Sequence, residues 1–185
     1  MNPPNTSREE IMRVSRKIVS EKGLPALNMR TLAKECGIAL GTLYNYYSDK
    51  DELVVAAIES VWQDILEKSA PDSGVRFSQY VMHIYARILS GLKDYPDFFA
   101  AHSISVAGSA KGKARGTMER CFGKIRGELH AALREDKNVD RSIFSETFRE
   151  EDLIEHILDT ITISIINGKP DCATLMEILD RLLYR

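Results

Sequence analysis

Apolar residues recur along this chain at helical spacing, and no stretch shows sustained apolar–polar alternation between hairpin turns. Ile11, Val14, Ile18 and Val19 form the first stripe. Ahead of them Ser7-Arg8-Glu9-Glu10 has the form of a capping box, which predicts a helix starting near Ser7. Gly23 ends it in a left-handed C-cap, and Pro25 prevents continuation. A second, short helix is predicted over 28–36, with Asn28 as N-cap, Leu32 and Ala33 facing inward, and Gly37 as breaker. A third follows over roughly 40–47. Ser48, with Asp51 three places on, caps a fourth that runs to about residue 68. Its apolar set is Leu53, Val54, Ala57, Ile58, Val61, Trp62 and Ile65. That stripe is too broad for one neighbour and predicts a helix that packs on both the N-terminal head and the body.

Ala70-Pro71-Asp72-Ser73-Gly74 is a turn cluster and a boundary signal. Beyond it the pattern predicts helices at about 75–94, 97–107, 112–136, 150–167 and 171–184, with a short helical turn within 137–149. Pro96 and Gly168-Lys169-Pro170 act as separators. The expected fold is all-α: a three-helix head over residues 1–50 and a helical-bundle body over 51–185, about nine helices in all.

Composition adds exclusions. In 185 residues, 44% are apolar and 28% charged, which suits a globular protein and rules out a disordered polyelectrolyte or a disulfide-dense miniprotein. The net charge is −2, but residues 1–50 carry 8 Lys+Arg against 5 Asp+Glu, while the remainder is acidic. A mildly basic head points to a local anionic partner. Cys36, Cys121 and Cys172 are odd in number and far apart, so neither a zinc nor a disulfide framework is expected, and a reducing, cytoplasmic setting fits. The N-terminus lacks an apolar signal segment, and the longest strictly apolar run, Leu53–Ile58, is far short of the roughly 20 residues a membrane span needs. His83, His102, His130 and His156 form no spaced metal set, and no hydrolase, metalloprotease or phosphate-loop motif occurs. An enzyme is therefore not expected, nor a cofactor.

Residues 28–53 carry the informative pattern. Ala33 is small where two helix axes must approach, Gly37 can supply a positive φ for the turn, and Leu43 can seal the underside of the second helix. These are the demands of a helix-turn-helix. A helix of eight residues is about 12 Å long, which matches the roughly 12 Å width of the DNA major groove. The run from Gly37 through Gly41-Thr42-Leu43-Tyr44-Asn45-Tyr46-Tyr47-Ser48-Asp49-Lys50 to Leu53 resembles the recognition-helix signature of the tetracycline-repressor (TetR) family of bacterial transcriptional regulators. Ile18–Gly23 and Met29–Gly37 resemble that family's first two helices, so the likeness covers roughly residues 8–55.

The resemblance implies that Arg30, Leu40, Gly41 and Tyr44 read bases or lie close to the groove, and that Asn28, Thr42, Tyr46 and Lys50 grip phosphates, with Asn45 among the DNA-facing positions. The residue chemistry agrees. Arginine can bind guanine in bidentate fashion, hydroxyls can donate to phosphate oxygens, and Lys50 sits in the first turn of a helix, where anions are favoured. Arg8 is placed to reach a flanking phosphate, Tyr47 is expected in the core, and Cys36 is expected as a small buried hydrophobe. Ala39 departs from the family's usual serine or threonine at the recognition-helix N-cap, and Leu40 is apolar where a polar residue is common.

The resemblance further implies a homodimer built on the last two helices. Ile154, Ile157, Leu158, Ile161 and Ile165, then Leu175, Ile178, Leu179 and Leu182, are the candidate interface, with an internal core as the alternative. A ligand cavity is implied among Tyr80, His83, Arg87, Phe98, Phe99, His102, Met118, Cys121 and Phe122, with ordinary core packing as the alternative. The functional expectation is a repressor that binds a pseudo-palindromic operator as a dimer and is released by a small-molecule inducer. An activator or a protein-binding adaptor is the alternative, and no membrane partner is expected.

Overall fold

The computed structural model describes residues 6–67, 74–96, 98 and 111–184, apart from the side chains of 67, 111–118 and 121. Eight α-helices account for most of them: α1 Arg8–Lys22, α2 Met29–Glu35, α3 Leu40–Tyr44, α4 Lys50–Glu67, α5 Phe77–Lys93, α6 Lys111–Glu135, α7 Glu150–Ile166 and α8 Ala173–Leu183. Short 3-10 turns occur at Leu24–Ala26 and Arg141–Ile143, the second inside the segment expected to hold one. The helix expected over 97–107 lies outside the described residues except for Phe98, as does the turn cluster 70–73. These helices fall into two compact units, one of residues up to 65 with 91–119, the other of 66–90 with 120–185.

In the first unit, Ser7 caps α1 by accepting the Glu10 amide at 3.1 Å, while the Glu10 carboxylate is held by Arg13. Gly23 has φ +77°, ψ 162°, a region open only to glycine but not the left-handed helical C-cap expected. The Gly-Leu-Pro sequence turns directly into a 3-10 helix with proline in its first turn, so the chain is extended at Gly23 and not coiled. The first-stripe residues Ile11, Val14, Ile18 and Val19 are buried against Leu24, Leu27, Met29 and Leu32 as one core. The cap of α4 falls at Asp49, whose carboxylate accepts the Glu52 amide at 2.7 Å, one residue later than expected at Ser48. Ser48 instead donates its amide and hydroxyl to Glu52, each at 2.8 Å. Along α4, Leu53, Ala57, Ile58, Val61, Trp62 and Ile65 are all buried. Gly91 of α5 lies so close to Ile65 that a Cβ there would meet its side chain at 2.7 Å.

In the second unit, Val81, Ile84, Tyr85, Ile88, Leu129, Leu133, Ile154, Ile157 and Leu179 form the core. Its polar hub is Asp136, just after α6 and 6% exposed. One carboxylate oxygen accepts the Phe77 amide at 2.8 Å and the Tyr184 hydroxyl at 2.6 Å. The other accepts the Asn138 amide at 2.9 Å. Two segments distant in sequence, at Phe77 and at Tyr184, are thereby tied to one side chain. Burial pushes this carboxyl up, but the donors outweigh burial and hold it below the ordinary carboxylate value. Burial and Asp136 push the Tyr184 hydroxyl up to about 12.

Asp136→Ala is expected to lower stability by on the order of 3 kcal/mol, because it strands buried donors; urea unfolding of the full chain reads this. In the wild type, the contribution of Asp136 is complete above the unfolded carboxylate value of about 3.9 and is lost as pH falls through the lower folded value. Tyr184 contributes below the unfolded tyrosine value and loses that contribution as pH rises toward about 12. An acid unfolding midpoint that does not move in Asp136→Ala contradicts the assignment.

Candidate nucleic-acid interface

The interface is built by one turn. Gly37 adopts φ +66°, which glycine takes at little cost. Its amide donates to the Lys34 carbonyl, and the next amide, Ile38, donates to Ala33 at 3.0 Å. These bonds close the end of α2 and redirect the chain into α3. Ala33 is 4% exposed and Leu43 fully buried, so the two helices meet at the small residue and the leucine seals the contact. α3 is five residues long, about 7.5 Å, shorter than the eight residues expected, because residues 45–47 form a tight turn. Ala39 at its N-cap supplies no side-chain bond.

With Leu43 inside, the rest of α3 faces outward. Gly41, Tyr44 and Asn45 are exposed, as are Arg30 on α2 and Lys50 at the start of α4; Leu40, Thr42, Asn28 and Tyr46 are half-buried. None of the nine DNA-facing candidates is enclosed by the protein's own core. Gly41 has nothing within 4 Å of where a Cβ would lie and no positive φ, so neither conformation nor packing inside the chain calls for glycine there. Lys34, one helical turn beyond Arg30, is a further exposed cation on α2, at i, i+4 spacing from Arg30.

Several side chains already have occupations. Asn28 caps α2 by accepting the Thr31 amide at 3.0 Å and donates to the Ala26 carbonyl. The Tyr46 hydroxyl donates to the Thr6 carbonyl at 2.6 Å. Arg8, expected near a phosphate, donates to the Tyr46 carbonyl at 2.8 Å and lies 5.1 Å from the centroid of the Tyr47 ring. Tyr47 is buried as expected, and burial, opposed by Arg8, raises its hydroxyl pKa. Cys36 is only half-buried, against the expectation of a buried position, because it caps α2 at the surface end of the turn; burial still raises its thiol pKa.

Of the residues expected to line a ligand cavity, Phe98 belongs to the first unit and Tyr80, His83, Arg87 and Phe122 to the second. Phe98 is buried in the first unit, its ring 6.1 Å from Trp62 and 6.2 Å from Tyr95. His83 is exposed and Phe122 half-buried. Phe99 and His102, and the side chains of Met118 and Cys121, lie outside the described residues. Tyr80 lines a cleft of about 460 Å³ in the second unit, with Glu128, Glu135 and Asn138. Arg87 is paired to Glu128 at 2.7 Å. Aromatic spacing by itself does not distinguish the wall of a cavity from ordinary core.

The expected dimer residues also divide. Ile154, Ile157, Leu158, Ile161, Leu175 and Leu179 are buried within the single chain and Ile165 is half-buried. Ile178 and Leu182 remain exposed, together with Ile163 and Ile166. Their helices are apolar on two faces, and the chain's own core uses one.

A positive-φ glycine turn, a buried leucine and an outward polar helix face define a helix-turn-helix head on an all-helical chain. Residues 11–57 match the model of the bacterial regulatory proteins of the tetR family. An HTH-type transcriptional regulator of Haemophilus influenzae is 32% identical over 99 residues, 47% of this chain and 53% of that protein. UidR of Escherichia coli K12, also an HTH-type transcriptional regulator, is 31% identical over 77 residues, 41% of this chain and 39% of that protein. The chain thus spans about half the length, or less, of these curated relatives. Among solved structures, the multidrug binding protein EbrR complexed with proflavin superposes with a TM-score of 0.62 at 18% identity, covering 95% of this chain and 98% of EbrR. TetR from Acinetobacter baumannii AYE gives 0.54 at 15%, covering 98% and 100%. Residues 11–57 are thus similar to the head of the tetR family, and the chain shares its all-helical fold with these solved structures.

Gly41→Ala is expected to leave thermal stability unchanged or raised by about 0.5–1 kcal/mol, since alanine is the better helix former, while weakening duplex binding at least several-fold. Equal binding by the variant, measured by fluorescence anisotropy, removes Gly41 from the interface.

Proposed function

We propose that this protein is a DNA-binding transcriptional regulator that grips duplex DNA through residues 28–50. The observation that carries the reading is the sidedness of this segment: Ala33, Leu43 and Tyr47 are inside, whereas Arg30, Gly41, Tyr44 and Lys50 are presented to solvent. Arg30 and Tyr44 face the bases, and Lys50 and Thr42 the phosphates. The match of residues 11–57 to the model of the bacterial regulatory proteins of the tetR family supports it.

Action as a homodimer is the second part of the proposal. Ile163, Ile166, Ile178 and Leu182 leave an apolar set on the last two helices that a second copy can cover. Two heads then address two half-sites of a pseudo-palindrome. The third part is repression relieved by a small molecule. It rests on the fold shared with EbrR, which has been solved with proflavin and with imidazole. Such a molecule releases DNA only by binding the DNA-incompetent state more tightly.

The test is selection of bound sequences from a random duplex pool, followed by affinity measurements across salt concentrations. The logarithm of affinity is expected to fall linearly with that of salt. Lys50→Ala weakens all sequences alike and reduces the slope by about 0.9. Arg30→Ala alters preference at one base pair, at a cost of about 1–3 kcal/mol. A protein indifferent to every duplex, or one whose affinity is flat with salt, overturns the reading. For the dimer, Ile166→Glu is expected to keep the helical circular-dichroism spectrum but halve the sedimenting mass. An unchanged mass removes that face from the interface.

A further inference from the structure

We propose that Arg8 is a positioning residue for DNA recognition, fixing the turn after α3 through contacts within its own chain and contacting no phosphate. The inference rests on the DNA-binding reading above. Arg8 is the first residue of α1, where the helix dipole disfavours a cation and where the neighbours Glu9 and Glu10 are acidic as expected. A local contact is needed to account for it, and the structure supplies two. Its guanidinium donates to the Tyr46 carbonyl at 2.8 Å and stacks 5.1 Å from the centroid of Tyr47, a ring only 2% exposed.

The Tyr46 carbonyl lies two residues past the end of α3. The clamp is reciprocal, because the Tyr46 hydroxyl donates to the Thr6 carbonyl at 2.6 Å. Residues 6–8 and 46–47 are thus joined by three contacts across some forty positions of sequence. α3 needs such support. It has five residues and no side-chain cap at Ala39, and a helix that short is not stable alone in water. Holding its far end sets the direction in which Thr42 and Tyr44 project. Only a planar guanidinium can stack on a ring and donate at its edge together; a lysine ammonium has the charge but not the fork.

The experiment compares full-length wild type, Arg8→Ala, Arg8→Lys and Tyr46→Phe. The duplex is the consensus recovered from the random pool, and affinity is followed across salt. Amide exchange at residues 42–47 is measured without DNA. Expected are a roughly tenfold weaker affinity for both Arg8 variants, the scale of one charge-assisted hydrogen bond, an unchanged salt slope, and faster exchange at 42–47. Tyr46→Phe, which removes one hydroxyl only, is expected to shift both readouts the same way by less, and it carries the test if Arg8→Ala does not fold. A slope lowered by about 0.9 in Arg8→Ala, with affinity restored in Arg8→Lys, identifies a phosphate contact and overturns the proposal. Unchanged affinity or unchanged exchange also overturns it. A wild type that binds no duplex overturns the DNA reading itself, a failure told apart because the variants are then never compared on DNA.

Discussion

A five-residue helix cannot hold its own shape in water, since nucleation consumes more backbone entropy than so few hydrogen bonds return. α3 is that helix, and the head of this protein is organised around keeping it in place. At one end, Gly37 turns the chain with bonds back to Lys34 and Ala33. In the middle, Leu43 is fully buried against α2. At the far end, Arg8 and Tyr46 tie the turn to the start of α1. With both ends and one face held from within, the remaining face is free of internal duties and can be spent on recognition.

The first unit extends this support to α4 and the end of α5. Arg16 of α1 donates to Ser60 at 2.6 Å and lies near Asp64, both on α4. Tyr95 donates to the same Asp64 at 2.8 Å, and burial together with that carboxylate raises the pKa of its hydroxyl. Ser20 of α1 donates to the Asp94 carbonyl at 2.6 Å. Gly91 lets α5 approach Ile65 more closely than any side chain would permit. The helix that begins at Lys50, beside the proposed phosphate contacts, is therefore fixed along its length by polar bonds as well as by its apolar stripe.

The second unit follows a different logic. A single buried carboxylate, Asp136, gathers the starts and ends of distant segments, with Ser78 and Asp180 joined nearby at 2.6 Å. Around it the apolar residues outnumber the positions available inside. The surplus, Ile163, Ile166, Ile178 and Leu182, lies outside. These four exposed aliphatic groups on α7 and α8 form the face proposed above for a second copy.

Local order was largely legible from the residues themselves. Helix positions, the Ser7 and Asn28 caps and the Gly37 turn depend on interactions within a few residues of one another, which spacing and residue type record, and apolar type at helical spacing marked Ala33, Leu43 and Tyr47 as inward. Tertiary structure decided what depends on distant partners. That Arg8 bonds the Tyr46 carbonyl, that Ile157 is enclosed within its own chain and that Phe98 packs beside Trp62 depend on which surfaces meet. Periodicity marks a face as apolar but carries no information about the identity of its cover. A cation in the sequence likewise looks the same whether its partner is another part of the chain or a molecule outside it.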